Sequence, residues 1–381
     1  MALNNTTSDI IRAFIYPRLP ACIVQRTRLF AREWNQAYLD GVGVGGSLNA
    51  AQPATGGNHS VGFLLQTDAL QAQVSDGLTN QRSFPRMDEQ FDGRDAAIVA
   101  TCSGVHLLTL SNPAQMCLWN PMVNQEVYIH PPDLEANVGP PGLCAEVING
   151  EAISPQYWIA IPAEHVGPPA LGDWAIRPPR FQVWDSAMEG WTVHQTANQF
   201  WSNRSRNAVT IDNTIYYKIS AGEIVFYKHR EAPPHRVGTI VLPYQASPVC
   251  QPDWLMCEWK GCLGLLVPVE DGKVLVFTLE EGNLWNHLTT IDIVPIVNRN
   301  RSAFLSRSIG TRRIRGEEAP DALHTMDLVG FADPGWLLIW QRNGYLRIFL
   351  SNQTAKRLIS IQREDINWRF WSLRSSFIRL Y

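Results

Sequence analysis

From Val61 to the C-terminus, apolar residues fall in short runs of four to eight, separated by Gly, Asn, Asp and Pro. Runs of that length, rich in Val, Ile, Leu and aromatic residues and bounded by turn formers, predict β-strands. Examples are VHLLTL, MCLWN, YWIAI, FQVWD, TIYYKI, EIVFYK, CLGLLVPV, KVLVFTL, WLLIW and YLRIFL. Almost no segment beyond residue 60 holds a 3.6-residue period for ten positions, so the body is expected to be mainly β. The first forty residues differ. Ile10, Ile11, Phe14 and Ile15 share one helical face behind the N-cap types Thr7, Ser8 and Asp9. Pro17 ends that helix, Pro20 suits the first turn of a second, and Phe30, Trp34 and Tyr38 give a third its apolar stripe. Three short helices follow from this pattern. They hold little core of their own, so they want a partner for their apolar face.

The β-runs repeat in kind. A strand ending in an aromatic, a polar turn, then a Trp-containing or aliphatic strand recurs as MCLWNPMVNQEVYIHPP, FQVWDSAMEGWTVHQT, EIVFYKHREAPPHRVGTIVLP, KVLVFTLEEGNLWNHLTTIDI and YLRIFLSNQTAKRLISIQ. Leu118-Trp119, Val183-Trp184, Val225-Phe226, Val276-Phe277 and Ile348-Phe349 align, and Trp191 and Trp285 share a place after the turn. Each unit reads as the outer hairpin of a four-stranded blade, with a matching inner strand upstream. Four-stranded repeats of roughly 40–50 residues predict a β-propeller, because a single twisted sheet cannot bury both faces and blades must stack around an axis. Five blades are legible. A sixth is expected from GFLLQ near residue 63 joined to WRFWSL and SFIRLY at the end, which would close the ring and remove its free edges. Six blades are therefore predicted, with five and seven as neighbouring possibilities.

Composition narrows the class. The chain has 381 residues, 45% hydrophobic and 18% charged, a globular composition. Its 14 Trp suit flat gaps between packed sheets. A net charge of −3 gives no case for bulk attraction to nucleic acid or to a membrane surface. No window reaches the length of a membrane-spanning helix. MALNNTTSD shows no basic region followed by an apolar run, so no signal peptide is expected. Seven scattered Cys fit free thiols of a reducing compartment, and the cytoplasm or nucleus is the expected location.

The helical segment resembles an F-box. Leu19-Pro20, Val24, Arg26, Phe30-Ala31-Arg32 and Trp34 stand at the offsets of that motif without a gap. Departures are the absent opening Leu-Pro of the first helix, Ala31 where Cys is common, and Pro17. The body is similar to the F-box-associated and kelch-type propellers of plant F-box proteins. Thr101-Cys-Ser-Gly-Val-His-Leu-Leu before Leu118-Trp-Asn-Pro carries that likeness, as does Val183-Trp-Asp-Ser with Trp191. A double-glycine kelch signature does not mark each blade. The organisation expected is an F-box-like segment over residues 8–40, a Gly-rich linker over 41–59 and the propeller over 60–381.

The resemblance implies a substrate-recognition subunit of an SCF-type E3 ubiquitin ligase, non-catalytic and without cofactor. Its partners would be a Skp-type adaptor, a cullin scaffold behind it, and a target protein that the sequence does not name. Ile11, Ile15, Leu19, Pro20, Val24, Phe30 and Trp34 would face the adaptor. The alternative is a propeller interaction module whose degenerate F-box no longer joins a ligase.

Other chemistry is thin. Gly41-Val-Gly43-Val-Gly-Gly46 is a formal GxGxxG, but a helix precedes it and a polar loop follows, the wrong context for dinucleotide binding. Cys257 and Cys262 lack a second pair to complete a zinc site, so no metal is expected. No GxSxG elbow, HExxH or Walker loop occurs. An enzyme built in a central propeller pocket has no support among these residues. Three loops are candidates for gripping a target, the first being the Pro-rich stretch from Pro131 to Pro141. The Pro-rich 162–179 carries Trp174, and the run from Arg299 to Arg315 has six arginines, with Arg312, Arg313 and Arg315 clustered at its end. A solvated insert is the plainer reading of the basic run, and Trp174 can equally fold back on its sheet.

Overall fold

Alternating apolar runs with tight polar turns leave antiparallel meanders as the simplest pairing, and the computed structural model has six of them. It describes stretches between residues 60 and 374. Residues 1–59, 301–326 and 375–381 lie outside the described set, as do several connections, among them 121–124, 133–138, 148–154, 164–179, 197–207 and 244–253. Blade 1 contains β1 (Ser60–Gln66), β2 (Gln73–Asp76) and β3 (Arg82–Ser83). Blade 2 is β4 (Ala96–Cys102), β5 (Val105–Leu110), β6 (Gln115–Asn120) and β7 (Gln125–Ile129). Blade 3 is β8 (Gly142–Val147), β9 (Pro155–Ala163), β10 (Arg180–Asp185) and β11 (Gly190–Gln195). Blade 4 is β12 (Ala208–Ile211), β13 (Thr214–Lys218), β14 (Glu223–Lys228) and β15 (Val237–Val241). Blade 5 is β16 (Leu255–Trp259), β17 (Cys262–Val269), β18 (Lys273–Glu280) and β19 (Leu284–Asp292), followed by a short helix, α1 (Ile293–Arg299). Blade 6 is β20 (Asp327–Ala332), β21 (Trp336–Gln341), β22 (Gly344–Phe349) and β23 (Thr354–Ser360).

The last strand, β24 (Arg369–Arg374), returns to blade 1. It pairs antiparallel with β1, Leu64 opposite Trp371 and Leu65 opposite Phe370. The two ends of the body thus share one sheet, as the sequence pattern predicts, through Arg369–Arg374; Trp368 and SFIRLY lie outside the described residues. First strands of successive blades run side by side, β4 by β8, β8 by β12, β12 by β16, β16 by β20 and β20 by β24. β4 also approaches β12 across the intervening blade. First strands converging on an axis are the arrangement of a β-propeller. The predicted outer hairpins are β6–β7, β10–β11, β14–β15, β18–β19 and β22–β23.

The core sits between blades. Leu107, Leu118 and Ile129 of blade 2 pack on Leu143, Ile159 and Trp184 of blade 3. Phe181 and Val183 of blade 3 meet Ile215, Tyr217 and Tyr227 of blade 4. Ile224 and Ile240 of blade 4 meet Leu265, Val267 and Phe277 of blade 5. Trp259 of blade 5 stacks on Phe331 of blade 6, centroids 4.4 Å apart, beside Ile293 and Ile296 of α1. Asp292 caps that helix, accepting from the Val294 N–H at 3.1 Å.

Close approach at one seam needs a missing side chain. A Cβ on Gly142 would lie 2.7 Å from Tyr217 Oη and overlap Ile215 Cγ2. Tyr217 uses that proximity to donate its hydroxyl hydrogen to the Ala160 carbonyl at 2.7 Å, bridging blades 3 and 4.

The two equivalent tryptophans prove to be clips. Trp191 on β11 donates its indole N–H to the His130 carbonyl just after β7, at 2.8 Å. Trp285 on β19 donates to the Val241 carbonyl at the end of β15, at 2.9 Å. Each ties an outermost strand to the end of the outermost strand of the preceding blade.

Candidate functional site

Strands alternate in direction, so connections within the first and third hairpin steps leave from one end of the sheets and all others from the opposite end. At the first end, Ser103-Gly104 and Lys260-Gly261 are two-residue turns with positive φ at both positions (49° and 81°; 50° and 83°), the geometry that suits a tight twisted hairpin. The connections of more than eight residues all leave from the second end: 84–95, 130–141, 164–179, 196–207, 242–254 and 293–326. Long connections on a rigid frame are where binding residues concentrate. Residues 164–179 and 300–326 are tethered there by Ala163 and Arg180, and by Arg299 and Asp327. Trp174, Arg312, Arg313 and Arg315 themselves lie outside the described residues, as do Ile11, Ile15, Leu19, Pro20, Val24, Phe30 and Trp34.

A second candidate emerges at the seam of blades 3 and 4, on the tight-turn end. Outer-hairpin connections elsewhere are 77–81, 121–124, 186–189, 281–283 and 350–353, but blade 4 uses 229–236. This longer tip, HREAPPHR, folds on itself. The His235 N–H donates to the Ala232 carbonyl at 2.9 Å, and Arg236 Nε donates to the Glu231 carbonyl at 2.8 Å. It thereby sets His229 and Arg236 against β10 and β11 of the neighbouring blade.

The contacts there define a proton register. Arg236 can only donate, and its guanidinium nitrogen is 3.3 Å from His194 Nδ1. His194 Nδ1 is therefore an acceptor, and the ring hydrogen sits on Nε2, facing Thr192 Oγ1 at 3.3 Å. Thr192 donates in turn to the Val183 carbonyl at 3.3 Å. The Tyr227 hydroxyl is 2.7 Å from the same His194 Nδ1 and donates its single hydrogen there. Tyr227 Oη also lies 3.3 Å from His229 Nδ1, while His229 Nε2 faces Asp185 Oδ2 at 3.1 Å. Asp185 Oδ1 accepts from the Ala187 N–H at 2.8 Å. His229 lies over the Trp158 ring, centroids 4.9 Å apart, and the Arg230 guanidinium is 5.4 Å from that ring.

The electrostatics follow. Burial, then the charge of Arg236 and then His229, pull His194 down from 6.5 to about 4. A proton on Nδ1 would point at a guanidinium. His229 is also lowered, by burial first; Asp185 opposes and does not prevail. Burial raises the Tyr227 hydroxyl. Both imidazoles are disfavoured as cations, and the Arg236 guanidinium is the cation beside His194.

No group of three or more His, Cys, Asp or Glu among the described residues is placed to hold a metal. Cys257 is buried beneath Gly264 and Cys262 is exposed beside the Lys260-Gly261 turn. Sequence reasoning did not single out the seam, because its groups come from β9, β10, β11, β14 and one turn. The signal available was the long polar insert KHREAPPHR between two strand runs.

No protein-family model matches the chain, and no curated protein sequence matches it. Among solved structures it is similar to AztD from Citrobacter koseri, with 8% identity and a TM-score of 0.37 over 82% of this chain and 84% of that one. It is also similar to YCF48 bound to D1 peptide, with 11% identity and a TM-score of 0.37 over 78% and 81%. The SapL1 lectin in complex with α-methyl fucoside gives 10% identity and a TM-score of 0.34 over 76% and 93%. Likenesses at this level carry nothing about function.

Proposed function

We propose that the chain is the substrate-recognition subunit of an SCF-type E3 ubiquitin ligase. The observation that carries this reading is a junction. An F-box-like run, Leu19-Pro20, Val24, Arg26, Phe30-Ala31-Arg32 and Trp34, precedes a propeller-like ring whose long connections all leave from one end. Residues 8–40, as three short helices, would present Ile11, Ile15, Leu19, Pro20, Val24, Phe30 and Trp34 to a Skp-type adaptor, and through it to the cullin. Residues 60–381, a kelch-like or F-box-associated propeller, would hold the target protein at the long-connection end, with Trp174 as an apolar anchor and Arg312, Arg313 and Arg315 for acidic groups. The chain would act by raising the local concentration of target lysines near the charged ubiquitin carrier, while the bond-making residues belong to other subunits. Such work belongs to the cytoplasm or nucleus.

Binding of the purified full chain to purified adaptor tests the proposal. Saturable binding is expected, lost in the Leu19→Asp, Pro20→Ala double variant with the far-UV spectrum retained. Absence of binding by the unaltered chain, or binding indifferent to the double variant, would overturn it in favour of a propeller interaction module with a degenerate F-box.

A further inference from the structure

We propose that the seam between blades 3 and 4 is a binding site for a phosphate group, with the Arg236 guanidinium as its anchor. Arg236 is a charge without a counter-ion among the described residues. Arg236 is half-buried, and its hydrogen bonds go to a carbonyl, that of Glu231, and to a neutral imidazole nitrogen, that of His194. Among the described residues no carboxylate pairs with it; the carboxylate of the seam, Asp185, is held by His229 and by the Ala187 N–H. A partly desolvated guanidinium normally gains a carboxylate or phosphate in bidentate contact.

The acceptor side is equally mismatched. A single lone pair on His194 Nδ1 receives both the Tyr227 hydroxyl and Arg236. One of these donors is surplus. With the Tyr227 hydrogen spent on His194, the His229 Nδ1 lone pair faces the Tyr227 oxygen at 3.3 Å with no hydrogen between them. An oxyanion beside Arg236 resolves both faults. It takes the surplus donor, and it offsets the charge of Arg236, which adds to burial in disfavouring protonated rings. His229 can then carry hydrogens on both nitrogens, one to Asp185 and one to Tyr227. The charged and titratable groups facing the seam are Asp185 from β10, His194 from β11, Tyr227 from β14, and His229, Arg230 and Arg236 from the turn.

The donor groups, Tyr227 of β14 and Arg230 and Arg236 of the turn, all come from blade 4, and blade 3 faces them with the acceptors His194 Nδ1 and Asp185. A phosphate group, with three terminal oxygens and up to two charges, can engage more such donors than a carboxylate. The long turn that brings Arg230 and Arg236 here is the outlier among the outer hairpins. The site lies at the end opposite the long connections and shares no residue with the proposed adaptor-binding segment, so its test does not depend on the ligase reading.

Calorimetric titration of the full chain with sodium phosphate, O-phosphoserine, sulfate and acetate tests the site. Saturable binding of phosphate or phosphoserine is expected, with affinity falling at least about tenfold in Arg236→Gln, the equivalent of one hydrogen-bonded charge contact. Arg236→Lys, which keeps the charge and loses the fork, should fall between the two and serves if Arg236→Gln does not fold. Lys273→Gln on the exposed start of β18 should bind like the parent. Sulfate does not titrate in this range, so its affinity should rise from pH 8 to pH 6 as His229 takes up a proton, and that rise should vanish in His229→Gln. Phosphoserine bound more tightly than phosphate identifies a phosphorylated side chain as the source, and equal affinity identifies free phosphate. No saturable binding of either, affinity indifferent to Arg236→Gln, sulfate affinity flat between pH 8 and 6, or acetate bound as tightly as phosphate each overturns the proposal.

Discussion

His106 offers the sharpest test of the packing argument. It sits on β5, fully buried, between Val105 and Leu107. Its ring contacts the indole of Trp119, centroids 5.7 Å apart, and among the described residues neither ring nitrogen has a hydrogen-bond partner. Burial alone lowers its pKa from 6.5 to about 4. The unfolded chain therefore takes up a proton that the folded chain refuses. A group whose folded pKa is lowered supports the native state above its unfolded pKa and withdraws that support as pH falls. The window runs from about pH 6.5 down to about pH 4. A shift of this size, at about 1.4 kcal/mol per unit, amounts to about 3 kcal/mol of stability lost by pH 4. Replacing His106 with Leu removes the titration and also removes two polar atoms that bury no hydrogen bond, a change that is neutral or stabilising at pH 7. Urea unfolding of the parent and of His106→Leu at pH 7, 6, 5 and 4 measures the difference. The parent should lose about 3 kcal/mol more than the variant across that range, with most of the divergence below pH 6. Parallel pH profiles, or a variant markedly weaker at pH 7, would refute the reasoning, since either result requires His106 to hold a charge or a hydrogen bond.

Two further predictions concern the seams. Gly142→Ala should destabilise by about 1–3 kcal/mol, because the added methyl meets Ile215 and Tyr217 across packed blades; an unchanged thermal midpoint would show that β8 can move away. Trp191→Phe should cost about 1 kcal/mol or more, from the lost hydrogen bond to the His130 carbonyl together with lost area, and Trp285→Phe should behave alike at Val241; unequal behaviour would argue against a repeated clip.

Much of the ring was legible along the chain. The aligned pairs Leu118-Trp119, Val183-Trp184, Val225-Phe226 and Val276-Phe277 fall on the third strands of blades 2 to 5, with Trp119, Val183, Val225 and Val276 buried. Trp191 and Trp285 were placed together by their position after the turn, but their role was not visible, because a carbonyl of the preceding blade carries no side-chain signature. The Arg236 seam was not legible either. Its groups are spread from Trp158 to Arg236, and each alone reads as an ordinary polar residue of a turn or outer strand.

By itself the sequence determined local geometry and its repetition. Two-residue periodicity with Gly-marked turns sets strands and hairpins, and the like units of blades 2 to 6 set the repeat, while six blades, with five and seven still open, was as far as the count went until β24 was seen to pair with β1. These are consequences of backbone sterics and of each strand's own alternation, so neighbours a few residues apart suffice to fix them. Tertiary structure alone decided which side chains of separate blades meet. The closeness of Gly142 to Tyr217, the isolation of His106, and the gathering of Arg236, His194, Tyr227 and His229 depend on how one twisted sheet lies against the next. That fit is set by the summed shape and charge of two surfaces, and no single stretch of the chain contains it.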